Sequence, residues 1–176
     1  MEIQHFEIRR DGFFFDEDTL RLDLYRLLSC FYASADFARL ALREGSREKV
    51  AELAGDYQEF EVTRLLVTIA ATVRVVQDRD KDIVPNVKTK CGSLFPDAGS
   101  RKSKPLSLRD ACNKIIHARK FNFDVRKIRI RDGHITRIQH ALNPVMHLYG
   151  EQDGVHWKAT LDILGFVACT TVLIKG

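Results

Sequence analysis

The chain has 176 residues, 45% of them hydrophobic and 30% charged, with a formal net charge of +4. That describes an ordinary soluble globular protein with room for one substantial core, and its basic bias is compatible with a nucleic-acid partner without requiring one. Cys30, Cys91, Cys112 and Cys169 are far apart with no C-x-x-C pair, which argues against a disulfide scaffold or a zinc site and for reduced, mostly buried thiols in the cytoplasm.

Residues 2–15 alternate weakly and place Asp11-Gly12 before Phe13, Phe14 and Phe15, which predicts a short strand or hairpin. The opening contains acids and no long apolar run, so no secretory signal is expected. From Asp18 or Thr19, Leu20, Leu24, Leu27, Leu28, Phe31, Ala35, Ala38 and Leu42 recur at three and four, the period of an amphipathic helix, which Gly45 would end. Ser46 can cap a short helix through Leu53. Gly55-Asp56 then predicts a break, with Asp56 and Glu59 making a new cap.

The stretch 57–79 is the strongest periodic segment, with Phe60, Leu65, Leu66, Ile69, Val73 and Val76 facing inward. Glu61 stands three residues before Arg64, so an intrahelical ion pair accounts for that arginine. Arg74 has two readings: a phosphate ligand if it faces the next helix, or a solvent-facing charge, the usual place for arginine. Residues 80–105 show no period and hold Pro85, Pro96 and Pro105 with Lys81, Lys88, Lys90, Arg101, Lys102 and Lys104. Such a connection is expected to be irregular, and mobile over part of 97–104. Its positive charge suits a phosphate backbone, and equally keeps an exposed loop soluble.

The stretch 107–121 organises the rest. Ser107 with Asp110 three residues on is a capping-box-like start after Pro105, so a helix opens at Leu108. Leu108, Ala111, Cys112, Ile115 and Ile116 fall on its apolar face, and Arg109, Asn113 and His117 form a stripe at spacings of four along its border. The plain reading is that these polar groups satisfy buried partners where helices meet. The chemical reading is that an imidazole titrating near neutrality moves a proton while a guanidinium holds a phosphate, the parts needed to cut RNA without a metal.

After Phe121 the period falls to two. Phe121, Phe123, Val125, Ile128 and Ile130 lead to Asp132-Gly133, and a second pair of runs, 145–149 and 155–161, flanks Gly150 and Gly154. This predicts a four-stranded antiparallel meander over 122–161 and a helix over 162–174, too short an apolar tract for the roughly 20 residues of a membrane span. Helices first and strands later make the fold class α+β in a single domain, an N-terminal helical bundle followed by a β-meander and a C-terminal helix. His134, His140, His147 and His156 have no ligand spacing, so no metal is expected. Glycine-rich phosphate loops and nucleophile elbows are missing as well, which removes the common NTPase, dehydrogenase and hydrolase classes.

Asn113-Lys114-Ile115-Ile116-His117, closing an amphipathic helix that follows two longer ones, resembles the signature helix of HEPN-type domains. The resemblance covers at most residues 18–121. It implies a helical fold that pairs so that two such helices face each other, and a metal-independent RNA endonuclease of a toxin or antiviral system. The implied catalytic residues are Arg109, Asn113 and His117, with Arg74, Lys114, Arg119 and Lys120 on the substrate. The implied partners are RNA, a second copy of the chain, and an antitoxin or neighbouring defence protein. The family pattern places an Arg, commonly followed by a polar residue, with four to six residues between it and the His. Here Cys112 takes the place of that Arg in the shortest form of the motif, and the nearest upstream arginine is Arg109. The departure favours a second reading, a non-catalytic HEPN-like module that binds nucleic acid, a nucleotide or another protein.

Overall fold

The computed structural model describes residues 16–41, 46–79, 90–132 and 135–174. Among them are four helices and a five-stranded antiparallel sheet, an α+β fold in the expected order of helices, strands and a last helix. The hairpin expected over 2–15 lies outside the described residues, as does the helix stop at Gly45.

Helix α1 spans Glu17–Ala41. The Asp16 carboxylate accepts from the Asp18 amide at 3.2 Å and from the Thr19 hydroxyl, closing donors that a first helical turn leaves open. Leu20, Leu24, Leu27, Phe31, Ala35 and Ala38 form its buried stripe. Helix α2 runs unbroken over Ser46–Arg79, so the expected break at Gly55-Asp56 does not occur. One exposed glycine costs a helix only about 1 kcal/mol, and that is offset by the apolar stripe of Val62, Leu65, Leu66, Ile69 and Val73, each 0% exposed. Phe60, expected inside, is exposed. At about 100° per residue it points away from the middle of that stripe.

A Cβ at residue 55 would meet nothing within 4 Å. Gly55→Ala is therefore expected to stabilise the protein by about 0.5–1 kcal/mol, read as a raised urea midpoint at unchanged slope. A fall in the midpoint would mean that the helix does not pass through this residue.

The connection before α3 holds two strands that the aperiodic stretch hid, β1 (Gly92–Phe95) and β2 (Lys104–Pro105). Between them Asp97 closes a turn, its carboxylate accepting from the Gly99 amide at 2.8 Å and its carbonyl from the Ser100 amide at 3.0 Å. The Ala98 amide donates to the His156 carbonyl at 2.7 Å, tying the loop expected to be mobile to the sheet.

Helix α3 (Leu108–Ile116) is followed by β3 (Lys120–Asp132), β4 (Ile135–Gln152), β5 (Val155–Asp162) and α4 (Ile163–Ile174). The sheet order is β2-β1-β5-β4-β3. The meander thus has three strands in place of four, because β4 continues through Asn143-Pro144. At that point the β3 register shifts between Phe123 and Val125, and the next pairs are Phe123↔Met146 and Val125↔Leu142. Pro144 falls inside this irregularity, where no ladder hydrogen bond needs its missing N–H. The Asn143 side chain closes it, its Nδ2 donating to Asp124 Oδ2 at 2.9 Å.

Met146, Leu148, Trp157, Ala159 and Leu161 form the inner face of β4 and β5. Helices α1, α3 and α4 lie against the sheet, while α2 packs on α1 and α3. No described helix is long and apolar enough to cross a membrane.

Candidate functional site

The local chemistry of α3 builds as its sequence suggests. The Ser107 hydroxyl accepts from the Asp110 amide at 3.1 Å and donates to its carboxylate at 3.0 Å. Leu108, Ala111, Cys112 and Ile115 are buried, whereas Ile116, expected with them, is exposed. The helix stops at Ile116, so His117 is its C-cap, with its amide donating to the Asn113 carbonyl at 3.0 Å. This places the His117 side chain at the exposed mouth of the helix. Two residues on, the Arg119 amide donates to the Tyr149 carbonyl at 2.8 Å, which fixes the turn from α3 into β3.

The turn opens onto a polar cleft of about 680 Å³. Asn113, Lys114, His117 and Arg119 line it from the α3 side, together with Asp110, and Glu151, Gln152 and Trp157 line it from β4 and β5. Trp157 is only 2% exposed. The Lys114 ammonium sits 4.4 Å from its ring centroid and donates to Gln152 Oε1 at 3.2 Å. Burial pushes the Lys114 pKa below the ordinary lysine value, the charge of Lys104 adds to that, and Asp110 opposes it. Arg119 is ion-paired with Glu151 across the cleft. Among the described residues no hydrogen bond or ion pair engages the His117 ring.

Four of the seven candidate residues therefore share one cavity, and three do not. Arg109 Nη2 donates to Asp78 Oδ1 on α2 at 2.9 Å. Asp78 Oδ2 accepts from Arg74 Nη2 at the same distance, so one carboxylate holds both guanidinium groups. Neither arginine lines the cleft. Of the two readings of Arg74, the solvent-facing one does not fit a side chain only 16% exposed, which packs near α3, where it opposes the rise in the Cys112 pKa. Lys120 is exposed on β3 opposite Tyr149, outside the cleft. Arg64 pairs with Glu61 at 2.7 Å as its spacing implied.

The position at which the HEPN resemblance would call for an arginine holds a side chain of the core, Cys112. Cys112 is 0% exposed, and burial pushes its thiol up to about 12. An arginine on the same backbone would place a charge inside unless α3 rotated. Among the described residues no group of three His, Cys, Asp or Glu is placed to hold a metal ion. His147 instead shares a 3.1 Å hydrogen bond with the Thr160 hydroxyl, and burial, with Lys158 adding to it, lowers its pKa despite Asp124.

Sequence reasoning missed Trp157, Glu151 and Gln152. They enter the site only through the pairing of β4 with β5, where Gly150 stands opposite Trp157. A Cβ on Gly150 would lie 2.2 Å from the indole, so the glycine is what lets the ring lie flat under Lys114. Compared with family models, curated proteins and solved structures, the chain has no match, and the site is read from its own geometry.

Proposed function

We propose that the cleft binds single-stranded RNA and does not cleave it. The observation that carries this reading is the convergence of Lys114, His117, Arg119 and Asn113 on one open polar cavity, while Arg109 is held by Asp78. Cations around a concave polar surface displace the counterions of a phosphate backbone, and the Asn113 amide and His117 ring offer hydrogen bonds to phosphate and sugar. Catalysis asks for more: a base, an acid and a donor aimed at the charge that develops on phosphorus. One chain presents a single imidazole here, and its α3 arginine is not in the cleft.

Cleavage is the second reading, supported by the exposed, unengaged His117 ring beside Arg119. A symmetric pair of chains with α3 facing α3 would add the second imidazole. The two readings separate in one experiment. Fluorescence anisotropy with a labelled single-stranded RNA is expected to show salt-dependent binding, and a gel of the same mixture in EDTA is expected to show no product. Lys114→Ala should weaken binding and flatten the slope of log affinity against log salt by about 0.7, one contact's worth, since Arg119 already pairs with Glu151. Product that disappears with His117→Ala would establish the ribonuclease reading, and no measurable binding would end both.

A further inference from the structure

Beyond the cleft, the far half of β3 and β4 forms an arm. From Val125↔Leu142 to Asp132↔Ile135 the two strands pair with each other, whereas β5 joins β4 only from Val145 onward. The arm is therefore a two-stranded ribbon, about 25 Å long at roughly 3.3 Å per residue. One of its faces is seated: Ile128 and Ala141 pack on Ala35 and Ala38 of α1, and Ser34 Oγ accepts from the Leu142 amide at 2.8 Å.

The opposite face carries Lys127, Arg129 and Arg131, with His140, Ile138 and Thr136 directly across from them. All six are exposed. Alternation puts the three cations on one side, roughly 6.6 Å apart along the strand. Arg21, Arg39, Arg64, Arg74, Arg109 and Arg119 all sit in ion pairs. Among the described residues no carboxylate pairs with Lys127, Arg129 or Arg131. β3 is the edge strand of the sheet, where charges also discourage pairing with another chain, but gathering three cations on one face serves that role no better than spreading them over two.

We infer that this ribbon is a binding arm for duplex DNA, lying in the major groove with Lys127, Arg129 and Arg131 on the flanking phosphates. The B-form major groove admits a two-stranded ribbon, whereas the deep, narrow major groove of A-form RNA does not. Apart from the His140 imidazole the face carries no aromatic ring among its described residues, so it lacks the row of rings on which successive bases of a single strand would stack. Charge complementarity supplies the attraction, and the anchored face against α1 supplies the rigidity that a projecting hairpin lacks alone.

The test uses the whole protein and a labelled 20-base-pair DNA duplex of mixed sequence, titrated at several salt concentrations. The variant Lys127→Gln, Arg129→Gln, Arg131→Gln should bind at least tenfold more weakly at low salt and lose about 2.7 from the salt slope, three phosphate contacts' worth. Its RNA binding at the cleft should stay within twofold of the parent, which separates this inference from the preceding one. Arg21→Gln, Arg39→Gln, Arg64→Gln removes the same charge elsewhere and should leave DNA affinity within threefold. The inference is overturned if the parent does not bind the duplex, if the two triple variants lose affinity equally, or if RNA competes for the ribbon as well as DNA does. Circular dichroism spectra matching the parent confirm that each variant is folded.

Discussion

Trp157→Ala is expected to destabilise the protein by about 3–5 kcal/mol, the cost of emptying an aromatic site that neighbours cannot close. The ring is 2% exposed and fills space that a Cβ on Gly150 would otherwise occupy. The main-chain carbonyl of His117 lies 3.0 Å from the same Cβ position, so the turn that carries the imidazole rests on this packing. The indole also supports the Lys114 ammonium, a contact that contributes about 0.5–2 kcal/mol where water is partly excluded. The substitution should therefore loosen both the core and the cleft, and RNA affinity should fall even at temperatures where the variant is fully folded. Urea unfolding followed by circular dichroism measures the first effect, since the chain loses its one tryptophan. Trp157→Phe should restore most of the stability and less of the affinity. A loss below about 1.5 kcal/mol for the alanine variant is below the range for a packed aromatic and would mean that the ring is not packed as described.

Gly92→Ala is expected to cost about 2–6 kcal/mol, the sum of roughly 1–3 for a backbone forced into a sparsely allowed region and roughly 1–3 for overpacking. Gly92 has φ +128°, and a Cβ there would lie 2.0 Å from the Thr160 carbonyl oxygen, inside the β1–β5 ladder. The same short segment ties three strands together. The Leu106 amide donates to the Gly92 carbonyl at 3.0 Å, the Asp162 amide to the Cys91 carbonyl at 2.8 Å, and the Cys91 amide to the Leu106 carbonyl at 2.9 Å. Separating β1 from β5 would uncover Leu94, Cys91 and Leu106 and release the loop that leads into α3. Amide exchange at Cys91, Leu106 and Asp162 should speed up well before the global unfolding limit. Unchanged melting would mean that residue 92 does not hold the left-handed conformation.

The parts of the fold that were legible beforehand are those that short-range physics decides. The start of α3 was readable because Ser107 and Asp110 bond to each other within one turn. The α1 stripe and the Glu61–Arg64 pair were readable for the same reason, since residues three and four apart on a helix are neighbours. Misreadings arose where a local signal competed with tertiary packing. Gly55-Asp56 predicts a break that burial of α2 overrides, and the period-two pattern predicts four strands where the β3–β4 register shift lets β4 run on through Pro144. Phe60 belongs by expectation to the inward set of this periodic segment, but its angle on the helix, set against Leu65 and Ile69, puts it outside.

The candidate site divides in the same way. Asn113, Lys114, His117 and Arg119 lie within seven positions, and the capped helix and its terminating turn suffice to bring them to one cavity. That Arg109 pairs with Asp78, that Cys112 points into the core, and that Trp157 underlies Lys114 depend on residues distant in the chain.

Read alone, the amino-acid order settled the fold class, the buried stripe of α1 and the start of α3, because caps, periodicity and near-neighbour charges act over a few residues. Tertiary structure settled how many strands there are, which arginine reaches the cleft, and which face of the β3–β4 ribbon is left to solvent. Those outcomes turn on pairing partners far away in sequence, whose closure cost and register no local pattern encodes.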